Sequence, residues 1–112
     1  MKEIKAYVRC EKVDEVIDAL ERVGIEGITV IDVMGLGVLA DPHSSKYSME
    51  CVERYSKIAK LEVVARNEDV HRIVETVRES AYTGTRGDGL IFVTAVEMAV
   101  KVRTGAVGEA GL

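Results

Sequence analysis

Aromatic residues are scarce in this chain, which has four tyrosines, one phenylalanine and no tryptophan in 112 residues. Its core must therefore come from Val, Ile, Leu and Ala, part of an apolar fraction of 47%. Proline occurs once and 30% of the residues are charged, a balance that argues against disorder. Two cysteines, Cys10 and Cys51, are too few for a secreted disulfide framework. No apolar run approaches the roughly 18 residues of a membrane helix. The opening segment M-K-E-I-K-A-Y-V-R is too charged for a signal peptide. An excess of cations is missing as well: the net charge of −4 lacks the footprint of a nucleic-acid or anionic-membrane binder. Together these absences predict one cytoplasmic domain, residues 1–112, with reduced thiols and no nucleic-acid partner.

What is present is a repeated grammar. Residues 4–9 alternate as a strand does, and Val13, Val16, Ile17, Leu20 and Val23 then fall at helical spacing, with acidic residues on the other side. Gly24 marks a helix stop, and the β-branched run 28–33 reads as a second strand. The later half repeats this at one offset: Val70 answers Val13, Ile73 answers Val16, Val74 answers Ile17 and Val77 answers Leu20. Strands are expected at 61–65, 90–96 and 100–103, and Asn67 is placed to cap the second helix. Two βαβ units predict a ferredoxin-like α+β sandwich, with both helices on one face of an antiparallel sheet. Residues 91–96 are apolar on both faces, so copies of the chain are expected to cover the open face.

Two segments exceed what that fold needs. From about 38 to about 57 the pattern fails, and a connection of that length is usually functional or disordered. Tyr47, Met49, Val52 and Tyr55 make it read as a partner-contacting arm. The second segment, T-G-T-R-G-D-G-L-I-F-V at 83–93, places Gly84, Gly87 and Gly89 directly before a strand. Glycine serves where φ is positive or where something approaches the backbone closely. Lys101 and Arg103, two apart on the expected strand, would leave one face together and suit a phosphate. Gly35 and Gly37 offer another close approach. Asp88, between two glycines, reads as a turn residue before it reads as a base. His43 and His71 pair with no cysteine at metal spacing, and no nucleophile elbow or Walker motif is present, so no enzyme activity is expected.

Thr83-Gly84, Gly87-Asp88-Gly89 and Ile91-Phe92-Val93 resemble the signature T-G-x-x-G-D-G-K-I-F-V of the PII nitrogen signal-transduction proteins. Asp14-Glu15-Val16, Gly24-Ile25-Glu26-Gly27, Thr29-Val30, Gly35-x-Gly37, Glu62 and Arg103-Thr104-Gly105 extend the likeness over the whole chain. The resemblance implies a homotrimer that binds ATP, ADP or AMP in clefts between subunits. It also implies a flexible T-loop at about 38–57, carrying Asp41, His43, Tyr47, Met49, Cys51 and Tyr55, and a C-terminal strand and tail at about 97–112. Carried over, Thr29, Glu62 and the Val64 backbone would meet adenine and ribose. Gly35, Gly37, Gly87, Asp88, Gly89, Lys101 and Arg103 would meet the phosphates. The implied role is regulation of an ammonium channel, another transporter or a nitrogen-assimilation enzyme, with recruitment to the membrane by a transporter.

Departures from the pattern qualify this. Leu90 stands where the family has a phosphate-binding lysine, and one charge-assisted bond is worth about 1.5–3 kcal/mol. Its loss favours ADP or AMP over ATP, or weakens all three. Lys101 replaces a frequent arginine, keeping the charge but losing the fork. Leu39 and Ile58 stand at the glutamine and lysine that serve 2-oxoglutarate, which argues against that co-ligand; the part of magnesium stays open. Cys51 replaces the modified tyrosine. Two rival readings remain: a metal-tolerance protein of the same fold using His43, Met49 and Cys51, and a scaffold without nucleotide. The retained Glu62, Arg103 and G-D-G turn speak against the scaffold.

Overall fold

The computed structural model describes residues 1–36 and 56–112. Six elements follow one another: β1 (Lys2–Arg9), α1 (Val13–Arg22), β2 (Thr29–Gly35), β3 (Ser56–Ala65), α2 (Val70–Ala81) and β4 (Gly89–Ala95). The four strands form one sheet in the order β2-β3-β1-β4, with every neighbouring pair antiparallel. This is the ferredoxin-like α+β arrangement that the repeated pattern predicts.

Strand alternation decides which residues build the core. Ile4, Ala6 and Val8 of β1 and Leu61, Val63 and Ala65 of β3 face the helices and are buried. Val16 and Leu20 of α1 meet them, as do Ile73, Val77 and Ala81 of α2. The offset seen in the sequence is thus an equivalence in space: Val16 and Ile73 are both fully buried, as are Leu20 and Val77. Burying each such side chain contributes about 1.5–3 kcal/mol. α1 stops where the sequence places the stop. Gly24 has φ 88°, its N–H donates to the Glu21 carbonyl (3.0 Å), and the Ile25 N–H donates to the Leu20 carbonyl (3.0 Å). That pair of bonds satisfies carbonyls left over at the helix end.

Three expectations need correction. β3 starts at Ser56 rather than at 61, because Val33 and Met34 of β2 pair with Ile58 and Lys57 and extend the ladder. The N-cap of α2 is Asp69, without a side-chain cap bond, and Asn67 instead opens a short 3-10 turn, Asn67–Asp69, ahead of α2. No strand forms at 100–103. Val100 makes a single bridge to Val107, and the chain between them is a turn closed by the Gly105 N–H on the Lys101 carbonyl (2.7 Å). Gly105, with φ 73°, supplies the reversal.

The face away from the helices carries charge and apolar surface together. Glu3 and Lys5 pair there (3.3 Å), as do Lys60 and Glu62 (3.0 Å). Tyr7 meets Phe92 edge-on, with ring centroids 6.0 Å apart. Leu90 and Phe92 of β4 and Ile31 of β2 are exposed on this face, and Val93, Val30 and Met34 are exposed on the other, so both sheet edges present apolar side chains.

Candidate functional site

The glycine-rich stretch is an ordered turn between α2 and β4, built around one carboxylate. Asp88 accepts hydrogen bonds from the Thr83 N–H (2.9 Å), the Gly84 N–H (2.9 Å), the Thr83 hydroxyl and Arg9 Nε (3.1 Å). Burial pushes this carboxyl up, but the bonds from Thr83, Arg9 and Gly84 outweigh it and hold it at about 2. Asp88 is therefore fully ionised near neutrality and is a turn residue by construction.

The glycines of this turn divide by role. Gly84, Gly87 and Gly89 all have positive φ, at 81°, 101° and 119°. A Cβ on Gly89 would stand 1.7 Å from the Tyr7 carbonyl oxygen, so the missing side chain there is accounted for by the pairing of β4 with β1. Gly87 is buried within the turn, between Arg86 and Asp88, whose backbone carbonyl and side chain are engaged by Arg9.

Thr29, Glu62 and Val64 lie together elsewhere. Thr29 of β2 pairs with Glu62 of β3, and Val64 follows on the same face as Glu62. All three line a cleft of about 400 Å³. Its wall is acidic, since among the described residues Glu3, Glu26, Glu62 and Asp69 stand there against the one cation Arg66. The hydrogen bond to Glu62 raises the Lys60 ammonium above its usual range, so Glu62 has a cation beside it on the sheet.

The remaining expected residues fall into two groups along the sheet. Gly35 ends β2 opposite Ser56, and Gly89 opposes Val8, so Gly35 and the Gly87–Gly89 turn lie at the end where β1 finishes. Thr29 and Val64 lie towards the end where β1 begins, because Val64 opposes Glu3. Glu62 is three residues along and two strands across from Gly89, about 14 Å at ordinary strand spacings. The segment bearing Lys101 and Arg103 leaves the sheet at the β1-start end, where the Val96 N–H donates to the Met1 carbonyl (3.1 Å). Both cations are exposed on a turn, so the strand alternation expected to aim them together does not apply.

Gly37, Leu39, Asp41, His43, Tyr47, Met49, Cys51 and Tyr55 lie outside the described residues. Ile58 is buried within β3 and His71 is exposed on α2. The Cys10 thiol is raised by burial and by the charges of Asp32 and Glu11, with Lys57 opposing, which is the reverse of activation. Among the described residues no group of three or more His, Cys, Asp or Glu stands ready for a metal, and no helix is long and apolar enough to cross a membrane.

Sequence reasoning missed Arg9. Its partner is Asp88, and only the register that sets Val8 opposite Gly89 brings the two together. A cation at the end of β1, just past the last alternating apolar residue, was the available signal.

Comparison with known proteins agrees with this architecture. The family model described as Nitrogen regulatory protein P-II matches residues 1–106. Nitrogen regulatory protein P-II 1 of Methanothermobacter thermautotrophicus is 46% identical over 110 residues, covering 97% of this chain and 95% of that protein. Nitrogen regulatory protein P-II of Azospirillum brasilense is 43% identical over 109 residues, covering 96% of each. The crystal structure of Arabidopsis thaliana PII bound to citrate superposes with a TM-score of 0.83 at 33% identity, over 99% of this chain and 91% of that one. The chain belongs to the P-II family of nitrogen regulatory proteins.

Proposed function

We propose that this protein binds an adenine nucleotide between copies of itself and reports its occupancy to a target protein through residues 38–57. The observation that carries the reading is that the expected contacts lie too far apart on one sheet to meet a single ligand, with Gly35 and Gly89 on opposite edges and Glu62 about 14 Å from Gly89. A neighbouring copy would bring one chain's Gly35 and Gly87–Gly89 against another's Thr29, Glu62, Val64, Lys101 and Arg103. The exposed apolar edges of β2 and β4 and the apolar tail favour such an assembly, a closed homotrimer.

Charge orients the ligand. Four carboxylates repel phosphate from the cleft but accept hydrogen bonds from ribose hydroxyls and an exocyclic amine. Phosphates instead suit the left-handed glycine turn, which offers backbone N–H groups, together with Lys101 and Arg103. Leu90 contributes no cation beside that turn, so ADP or AMP should compete well with ATP. Ile58 is sealed in the sheet and offers no charge to a dicarboxylate, so 2-oxoglutarate should add little. In this reading the protein has no catalysis of its own. It acts in the cytoplasm on an ammonium channel, another transporter or a nitrogen-assimilation enzyme, and a transporter target would draw it to the membrane.

Calorimetry with AMP, ADP and ATP, followed by 2-oxoglutarate added to the magnesium–ATP sample, tests this. Saturable nucleotide binding at one site per chain, without a 2-oxoglutarate response, is expected. Absence of binding by all three nucleotides would overturn the reading.

A further inference from the structure

A solvent-facing turn with three left-handed glycines needs something to hold it in one shape, since glycine leaves the backbone many alternatives. The hold comes from the far end of the sequence. Arg9 is the last residue of β1, and its side chain is only 7% exposed. Its Nε donates to Asp88 Oδ1 at 3.1 Å and its Nη2 donates to the Arg86 carbonyl at 2.8 Å. Asp88 in turn gathers the Thr83 and Gly84 N–H groups. One planar guanidinium thus grips the turn at residue 86 directly and at residues 83 and 84 through the carboxylate. Gly87 lies between the two points that Arg9 holds.

We propose that Arg9 is the positioning residue of this turn: acting through Asp88 and the Arg86 carbonyl, it fixes the turn backbone that would face a bound phosphate. This rests on the nucleotide reading above. The geometry requires an arginine. A lysine keeps the charge but cannot send two donors in a fixed fork to a carboxylate and a carbonyl two residues apart. Removing the cation leaves Asp88 partly buried without its charged partner, and the hold on the Arg86 carbonyl is lost with it. The low carboxyl pKa of Asp88 is consistent with this hold.

The test uses the full chain as wild type, Arg9→Lys and Arg9→Met. Without ligand, amide hydrogen exchange at 84–89 should speed up about tenfold or more in Arg9→Met, with α2 and the middle of β1 unchanged, and Arg9→Lys should fall between. ADP should bind about tenfold more weakly to Arg9→Met and about threefold more weakly to Arg9→Lys. NMR titration should find the Asp88 carboxyl moved upward in Arg9→Met. If Arg9→Met does not fold, Arg9→Lys decides by the same readouts. Exchange at 84–89 within about twofold of wild type would overturn the proposal. So would an acceleration spread evenly over β1 and α2, or faster local exchange with ADP affinity unchanged. A wild type that binds no ADP removes the nucleotide reading and the ligand half of this proposal, while the exchange data still judge the hold on the turn.

Discussion

The turn at 83–89 and the turn at 100–107 look alike as sequence and differ as structures. Each combines left-handed glycine with nearby cations. The first is completed within its own chain, where Asp88 gathers the Thr83 and Gly84 amides, Arg9 grips Asp88 and Arg86, and Gly89 fits against Tyr7 with no room for a side chain. The second is closed by backbone bonds between Lys101 and Gly105 or Ala106, with a Thr104 side-chain bond to the Ala106 N–H, and its Val102 side chain is 99% exposed. A glycine turn is therefore no single signal. One is a finished part of a monomer, and the other is a projecting part that a second copy is expected to complete.

Substitutions at matched positions sharpen this contrast. Gly89→Ala should have the largest effect, because its Cβ would overlap the Tyr7 carbonyl and φ there is 119°. A loss of about 3–5 kcal/mol in urea-monitored unfolding is expected, with β4 detached from β1. Asp88→Asn should cost about 1.5–3 kcal/mol, the value of hydrogen bonds to a charged group. Asp88 also carries a pH signature. Its carboxyl lies at about 2 in the fold against an ordinary 3.8. Its stabilisation is therefore complete above about pH 4 and is lost as pH falls towards 2, so wild-type stability should drop across that window more steeply than that of Asp88→Asn.

Smaller effects are expected at the C-terminal turn. Gly105→Ala places a methyl group where nothing lies within 4 Å, although φ is 73°. It should cost only about 1–2 kcal/mol in the same unfolding assay, the ordinary penalty of the left-handed region. Val102→Glu should leave the isolated fold within about 0.5 kcal/mol, yet shift the proposed trimer towards monomer in sedimentation. A Gly105→Ala loss as large as that of Gly89→Ala would erase the distinction between the turns.

Much of the fold was legible because it follows from periodicity. The stripe Val13, Val16, Ile17 and Leu20 and its counterpart Val70, Ile73, Val74 and Val77 needed only helical spacing, and both stripes pack on the core. The expected strand at 100–103 failed for a local reason: β-branched residues alternating with cations satisfy strand propensity, but Gly105 turns the chain before a ladder partner is reached. Candidate contacts were legible as residue types, and their placement was not. Only the register shows Thr29 and Glu62 side by side, Gly89 at the other end of the sheet, and Arg9 beneath Asp88. Pairing across the whole chain length leaves no mark in a single sequence.

Mixed oligomers decide whether one nucleotide site is assembled from two copies of the chain. One chain carries Glu62→Ala with Arg103→Ala, the other carries Gly87→Val, and the two are refolded together in equal amounts for ADP titration. Each variant alone should bind no ADP, whereas the mixture should recover roughly a quarter of the wild-type sites, the share of interfaces that join two intact halves. A mixture that binds no more ADP than its parents, despite demonstrated mixed assembly, would rule out a site shared between two copies.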